Sequence, residues 1–220
     1  MVTYDIRGHG ASDKPLEPER YKDAKLWADE VKAVIDGVGL RRPVLVGWSY
    51  AGRIISDYLR HHGQGRLAGI NFVGAVTKSD PSFFGETLRR DQPRMMSEDL
   101  ATNIAGTRDF VRTVTAKPMS PDEFEMVLAF NMIVPPKVRA GLGGREANYE
   151  DVLSALKIPV LVTQGVEDRL ILVAAARYTA SVVPNAKLSL YDGIGHAPFF
   201  EDPARFNKEL AEFVNAAASR

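Results

Sequence analysis

Three apolar runs constrain this chain more than any other feature of it. "RPVLVG" (42–47), "LAGINFVGAV" (67–76) and "IPVLVTQG" (158–165) are short, rich in β-branched residues and nearly free of charge. Such runs read as strands covered on both faces, the environment of a parallel sheet. A fourth, "AKLSLYDG" (186–193), follows, and "VTYDI" (2–6) reads as a further strand ahead of the loop "RGHGASDKP". Helical spacing separates the runs. Over 20–38, Leu26, Trp27, Val31, Val34, Ile35 and Val38 fall on one face, and over 51–62 Ile54, Ile55, Tyr58 and Leu59 do the same. Helices are also predicted at 171–182 and 203–218. Strands alternating with helices predict an α/β fold, a mostly parallel central sheet with flanking helices.

Residues 80–156 differ. They carry "ATNIAGTRDFVRTV" and "SPDEFEMVLAFNMIV", the second opened by Ser120, Pro121 and Glu123 in a capping pattern. This stretch reads as a helical excursion above the sheet, inserted into a core made of 1–79 and 157–220. A chain of 220 residues suits one well-cored domain.

Formal charge is zero, so no strong field is offered to nucleic acid or to an anionic membrane, and no run approaches a membrane span. There is no cysteine, and His9, His61, His62 and His196 lack zinc-site spacing. Neither metal nor organic cofactor is called for. The opening "MVTYDIRGHG" has no signal-peptide pattern, so the expected location is cytoplasmic.

Within "VLVGWSYAG" (44–52), Ser49 follows an apolar strand and precedes a helix. That is the context of the G-x-S-x-G turn, in which a sharp bend lifts a serine hydroxyl above the sheet. The turn would also aim the backbone N–H of Tyr50 at a developing oxyanion. Gly47 meets the need for a small residue before the serine. Ala51 stands where the pattern has its second glycine, a difference of one methyl. The plainer reading is an ordinary strand-to-helix turn. A nucleophilic serine needs a base and an orienting acid. His196, in "DGIGHAPFF", follows the last strand; Asp168, in "TQGVEDRLI", follows the one before. Separately, each has a simpler explanation, Asp168 as a cap for a helix near Leu170. Together, Ser49, Asp168 and His196 occur in that order, each just past the C-terminal end of a strand, where crevices of parallel sheets lie.

The segments "YDIRGHGASDKP", "LVGWSYAGR", "PVLVTQGVEDRLI" and "YDGIGHAPFFEDPARFNKEL" make the chain resemble the α/β-hydrolase superfamily over nearly its whole length. The resemblance is nearest to esterases, cofactor-free haloperoxidase or perhydrolase-like members and C–C bond hydrolases. It implies Ser49 as nucleophile, Asp168 as acid, His196 as base and 80–156 as a lid. A haloalkane dehalogenase would carry Asp at position 49. Some members place the acid after the strand at 67–76, which makes Asp80 the reserve candidate. The resemblance also aligns "VTYDI" with the family's fourth strand and "RPVLVG" with its fifth, between which the third normally lies. The segment that usually supplies a second oxyanion N–H would precede Met1; "RGHG" matches the loop after the fourth strand, which leaves His9 and Gly10 outside that role. "VTYDI" and "RPVLVG" would then pair directly, leave a gap or accept a strand from another chain. The last case would make a homo-oligomer through the shortened sheet.

Trp48, Phe199, Phe130 and Met126 are candidate substrate-binding residues, although packing explains each about as well. The expected reaction is hydrolysis of a small-molecule carboxylic ester with a small or medium acyl group. Perhydrolysis, C–C or amide cleavage, and a non-catalytic binding protein built on the same fold are the alternatives.

Overall fold

A computed structural model describes residues 1–219. Four strands form one parallel sheet in the order β1-β2-β3-β4: β1 (Val44–Trp48), β2 (Gly69–Val73), β3 (Val160–Gly165) and β4 (Ala186–Tyr191). Each falls on one of the predicted apolar runs, with shifted ends: β1 runs one residue past its run, to Trp48. Before β1 come α1 (Glu19–Lys22) and α2 (Ala24–Gly37), and α3 (Ala51–His62) joins β1 to β2. The single helix expected over 20–38 is broken at Asp23, whose carboxylate accepts from the N–H of Lys25 and so starts α2 afresh.

The middle of the chain is a helical cap: α4 (Glu86–Met95), α5 (Leu100–Val114), α6 (Pro121–Met132), α7 (Pro136–Leu142) and α8 (Glu150–Ser154). The start of α6 is the expected capping box. Ser120 Oγ accepts from the Glu123 N–H, and the Glu123 carboxylate accepts from the Ser120 N–H at 2.9 Å. The end of this segment returns to the core, where Ala147, Tyr149, Leu153 and Leu156 are buried. α9 (Val173–Val182), α10 (Pro198–Glu201) and α11 (Pro203–Ala218) complete the chain.

The main apolar core lies between the sheet and α2, α3, α8 and α9, around Trp27, Ile35, Tyr58, Ile70, Phe72 and Leu153. Gly69 of β2 faces the other side, where a Cβ would crowd Phe213 and Ala217 of α11.

Two strand expectations are corrected. "VTYDI" forms no ladder with any described strand. An extended segment becomes a strand only when a neighbour pairs its backbone, and here Asp5 is committed to a local loop. Its carbonyl accepts from Ser12 Oγ and its carboxylate from the Ala11 N–H. β1, read as covered on both faces, is an edge strand: Val46 is 47% exposed and Trp48 37%. Gly47 points at α3, while Val46 and Trp48 point to the opposite face, where α11 covers the neighbouring β2.

Candidate active site

Ser49 follows β1 directly with φ +54°, a left-handed backbone that a non-glycine residue seldom adopts. The strain is held on several sides. The Ser49 N–H donates to the Val73 carbonyl at 2.9 Å, and its own carbonyl accepts from the N–H groups of Gly52 and Val76. Tight packing around the bend needs glycine at two places. A Cβ on Gly47 would strike Ile55, and one on Gly52 would press on Ala75 and the Val76 backbone. Ala51, the apparent departure from the pattern, sits beside these contacts and is only half-buried. The crowded glycine position is three residues after the serine, so the Ala51 methyl is accommodated. The backbone N–H of Tyr50 opens α3 and makes no hydrogen bond among the described residues.

Asp168 and His196 meet above the ends of β3 and β4. His196 Nδ1 lies 2.7 Å from Asp168 Oδ2, with both side chains almost wholly buried. The same carboxylate accepts from the N–H groups of Leu170 and Ile171 at 2.8 and 3.0 Å and from Gln164 Nε2 at 2.9 Å. Asp168 therefore both stops the turn before α9 and holds the imidazole. Because a carboxylate only accepts, Nδ1 carries the proton, and Nε2 of the neutral ring is the free base.

The loop bearing His196 is fixed from every side. Its N–H donates to the Val114 carbonyl at the end of α5, and its carbonyl accepts from the Trp48 indole at 2.7 Å. Glu201 accepts from the N–H groups of Gly195 and Ala116. A Cβ on Gly165 would collide with the Gly195 carbonyl, and one on Gly74 would press on the imidazole. Trp48 lies beside His196 with ring centroids 5.1 Å apart. The imidazole thus packs against Trp48, which precedes Ser49, and Gly74, which follows β2. Ser49 Oγ forms no hydrogen bond to it; such bonds are commonly long until substrate tightens them.

Ser49 and Tyr50 open into a cavity of about 630 Å³ roofed by the cap. Apolar walls come from Leu88, Met95, Met96, Phe110, Leu142 and Ile171. Four of the residues expected to touch substrate are not on that wall. Met126 and Phe130 project from α6 into solvent, 56% and 51% exposed, and Trp48 and Phe199 stack edge-to-face outside the cavity. The reserve acid Asp80 is half-buried and its carboxylate caps a short turn through Ser82, with no bond to the imidazole.

Several wall residues carried no signal in the sequence. His9 lines the cavity, with Nδ1 donating to the Arg7 carbonyl, and burial lowers its pKa. Arg145 donates to Asp57 at 2.6 Å and to the Tyr50 hydroxyl at 3.2 Å, while Tyr149 donates to the other Asp57 oxygen. These partners lie about ninety residues apart in sequence, and only the fold joins them.

A sheet of this order with a serine bend after β1 and an acid–imidazole pair at the C-terminal ends of β3 and β4 belongs to the hydrolytic class of α/β folds. A family model described as alpha/beta hydrolase fold matches residues 1–203, and the chain belongs to that family. It is similar to the crystal structure of a candidate aryl esterase from Burkholderia cenocepacia, at 34% identity and a TM-score of 0.94, over 99% of this chain and 80% of that one. It is similar also to the esterase RhEst1 from Rhodococcus sp. ECU1013, at 34% identity and a TM-score of 0.88, over 97% and 79% of the two chains. A non-heme chloroperoxidase from Streptomyces lividans is 28% identical, over 98% of this chain and 82% of the relative.

Proposed function

We propose that Ser49, His196 and Asp168 form a catalytic triad and that the protein hydrolyses carboxylic esters of small or medium acyl groups through an acyl-enzyme. The single observation that carries this reading is the buried 2.7 Å contact between His196 Nδ1 and Asp168, set beside a serine held at φ +54°. His196 Nε2 takes the proton from Ser49 Oγ as the oxygen attacks the ester carbonyl. Asp168 keeps the imidazole in the required tautomer and stabilises the imidazolium. The Tyr50 N–H, which no backbone acceptor claims, donates to the oxyanion. The imidazolium then returns its proton to the leaving alcohol. Water, deprotonated by the same nitrogen, releases the acid. The mainly apolar cavity suits the hydrocarbon part of such an ester.

The chloroperoxidase relative supports a second reading, in which hydrogen peroxide replaces water as the acceptor of the acyl group. Partition of one acyl-enzyme between peroxide and water, measured as peracid against acid, separates the two.

The test of the main reading is turnover of p-nitrophenyl butyrate by the wild type and by Ser49→Ala. The expected result is a fall of about 10⁶ in kcat. Equal rates for the two proteins would overturn the assignment.

A further inference from the structure

The cavity beside Ser49 is more cationic than an apolar ester requires. Arg53, Arg89, Arg139 and Arg145 all line it, against one carboxylate, that of the exposed Glu146. Arg145 is neutralised by the buried Asp57. Arg89 is occupied by the carbonyls of Pro81 and Phe84. Arg53 and Arg139 differ from these.

Arg53 is 91% buried, since its exposure is 9%. Its terminal nitrogens donate to the Arg145 carbonyl and Ser79 Oγ, yet its Nε is buried with no hydrogen-bond partner. Among the described residues no carboxylate pairs with it. A buried guanidinium nitrogen left without an acceptor costs free energy unless something binds there.

Arg139, from α7, directs only Nη2 to protein, donating to the Asn131 carbonyl at 2.6 Å and more weakly to Asn131 Oδ1. Nε and Nη1 donate to no described atom, and no described carboxylate pairs with this side chain. Burial alone lowers its pKa to about 10, as expected of a cation taken from water without a counter-charge, and it remains charged at neutral pH. Its neighbour His9, on the same wall, is held towards the neutral form by burial and by Arg139 itself, so it adds no competing charge.

We propose that the cavity takes esters that also carry a carboxylate, half-esters of dicarboxylic acids, with the Nε and Nη1 of Arg139 as the anion donors and the unpaired charge of Arg53 adding to the attraction. A planar guanidinium presents two parallel N–H groups that match the two oxygens of a carboxylate, and such a pair in a partly dry cavity both binds and orients. This substrate class rests on the hydrolase reading above. Ser49 attacks the ester carbonyl while the distal carboxylate sits on Arg139. The alcohol leaves with the proton from His196, and water completes the release of the dicarboxylic acid. Leu88, Met95 and Phe110 would flank the methylene chain between the two ends.

The experiment compares monoethyl glutarate with ethyl pentanoate, which differ at the acyl terminus by a carboxylate in place of a methyl, with ethanol release as the signal. The wild type is expected to favour the half-ester in kcat/KM by about tenfold or more, from a charge-assisted hydrogen bond. Arg139→Gln should lower that ratio at least tenfold, and Arg139→Lys, which keeps the charge and reports on folding, should fall between. Preference for ethyl pentanoate, or a ratio indifferent to Arg139→Gln in protein that melts like the wild type, overturns the anion site and leaves the hydrolase reading intact. Turnover of neither ester sinks the hydrolase reading instead. Calorimetric binding of glutarate to Ser49→Ala, weakened tenfold when Arg139→Gln is added, then supports the anion site without turnover; binding indifferent to Arg139 overturns it.

Discussion

An interior strand and an edge strand of the sheet are built differently, and each leads to a different part of the site. Every residue of β3 is buried, with β2 and β4 on its flanks. β1 has a partner on one side only and exposes Val46 and Trp48. The loop after the buried β3 holds the acid, which meets the base from the loop after β4 in a buried setting, where a fixed polar network gains most from low dielectric and loses most if any member is missing. There Gln164 and the backbone N–H groups of Leu170 and Ile171 converge on Asp168, which holds His196. The open edge strand leads to the serine. Its geometry comes from backbone strain braced by β2, Gly47 and Gly52, and needs no buried polar network. One half of the site is thus positioned by a buried side-chain hydrogen-bond network and the other by backbone hydrogen bonds and close packing.

Asp168→Asn attacks the buried network directly and should show the largest effect of the substitutions that leave the serine in place. It favours the wrong imidazole tautomer, so kcat should fall about 10⁴-fold with the fold retained, measured by ester turnover alongside circular dichroism. A change of less than tenfold would mean that the hydrogen-bonded half does not depend on its carboxylate. Stability should follow the same division. Leu161→Ala, in the buried β3, should cost about 2–5 kcal/mol in urea unfolding, because a cavity is left among neighbours that cannot collapse. Val46→Ala, on the open face of β1, should stay within about 0.5 kcal/mol. Equal costs would show that the open face is covered in solution.

Much of the fold was legible because the informative residues are local. The four strands, the helix over 51–62 and the helix over 203–218 stand where apolar periodicity put them. So do the three loops that carry Ser49, Asp168 and His196, since each follows a strand read directly from its apolar run. What was not legible depends on neighbours far away in sequence. "VTYDI" has a strand's alternation, but alternation cannot say whether a partner edge is present. The six-residue run "RPVLVG" looks the same whether one flank is open or not. In α6, apolar residues are spread around the helix, so Met126 and Phe130 could not be told from the buried Val127. The arginines of the cavity wall were invisible as a group, because Arg53, Arg139 and Arg145 come from separate elements and converge only in the folded chain. Ala51 drew the eye as a broken motif, whereas packing places the essential glycine at Gly52.

The central claim is that Ser49 is an activated nucleophile. The most direct measurement is intact-mass analysis after treatment with a fluorophosphonate, with peptide mapping of the adduct. The account predicts one stoichiometric adduct on Ser49, formed fast in the wild type, slowly in Asp168→Asn and not at all in Ser49→Ala. A folded wild-type protein that stays unmodified, or that is labelled elsewhere and equally in Ser49→Ala, would contradict it.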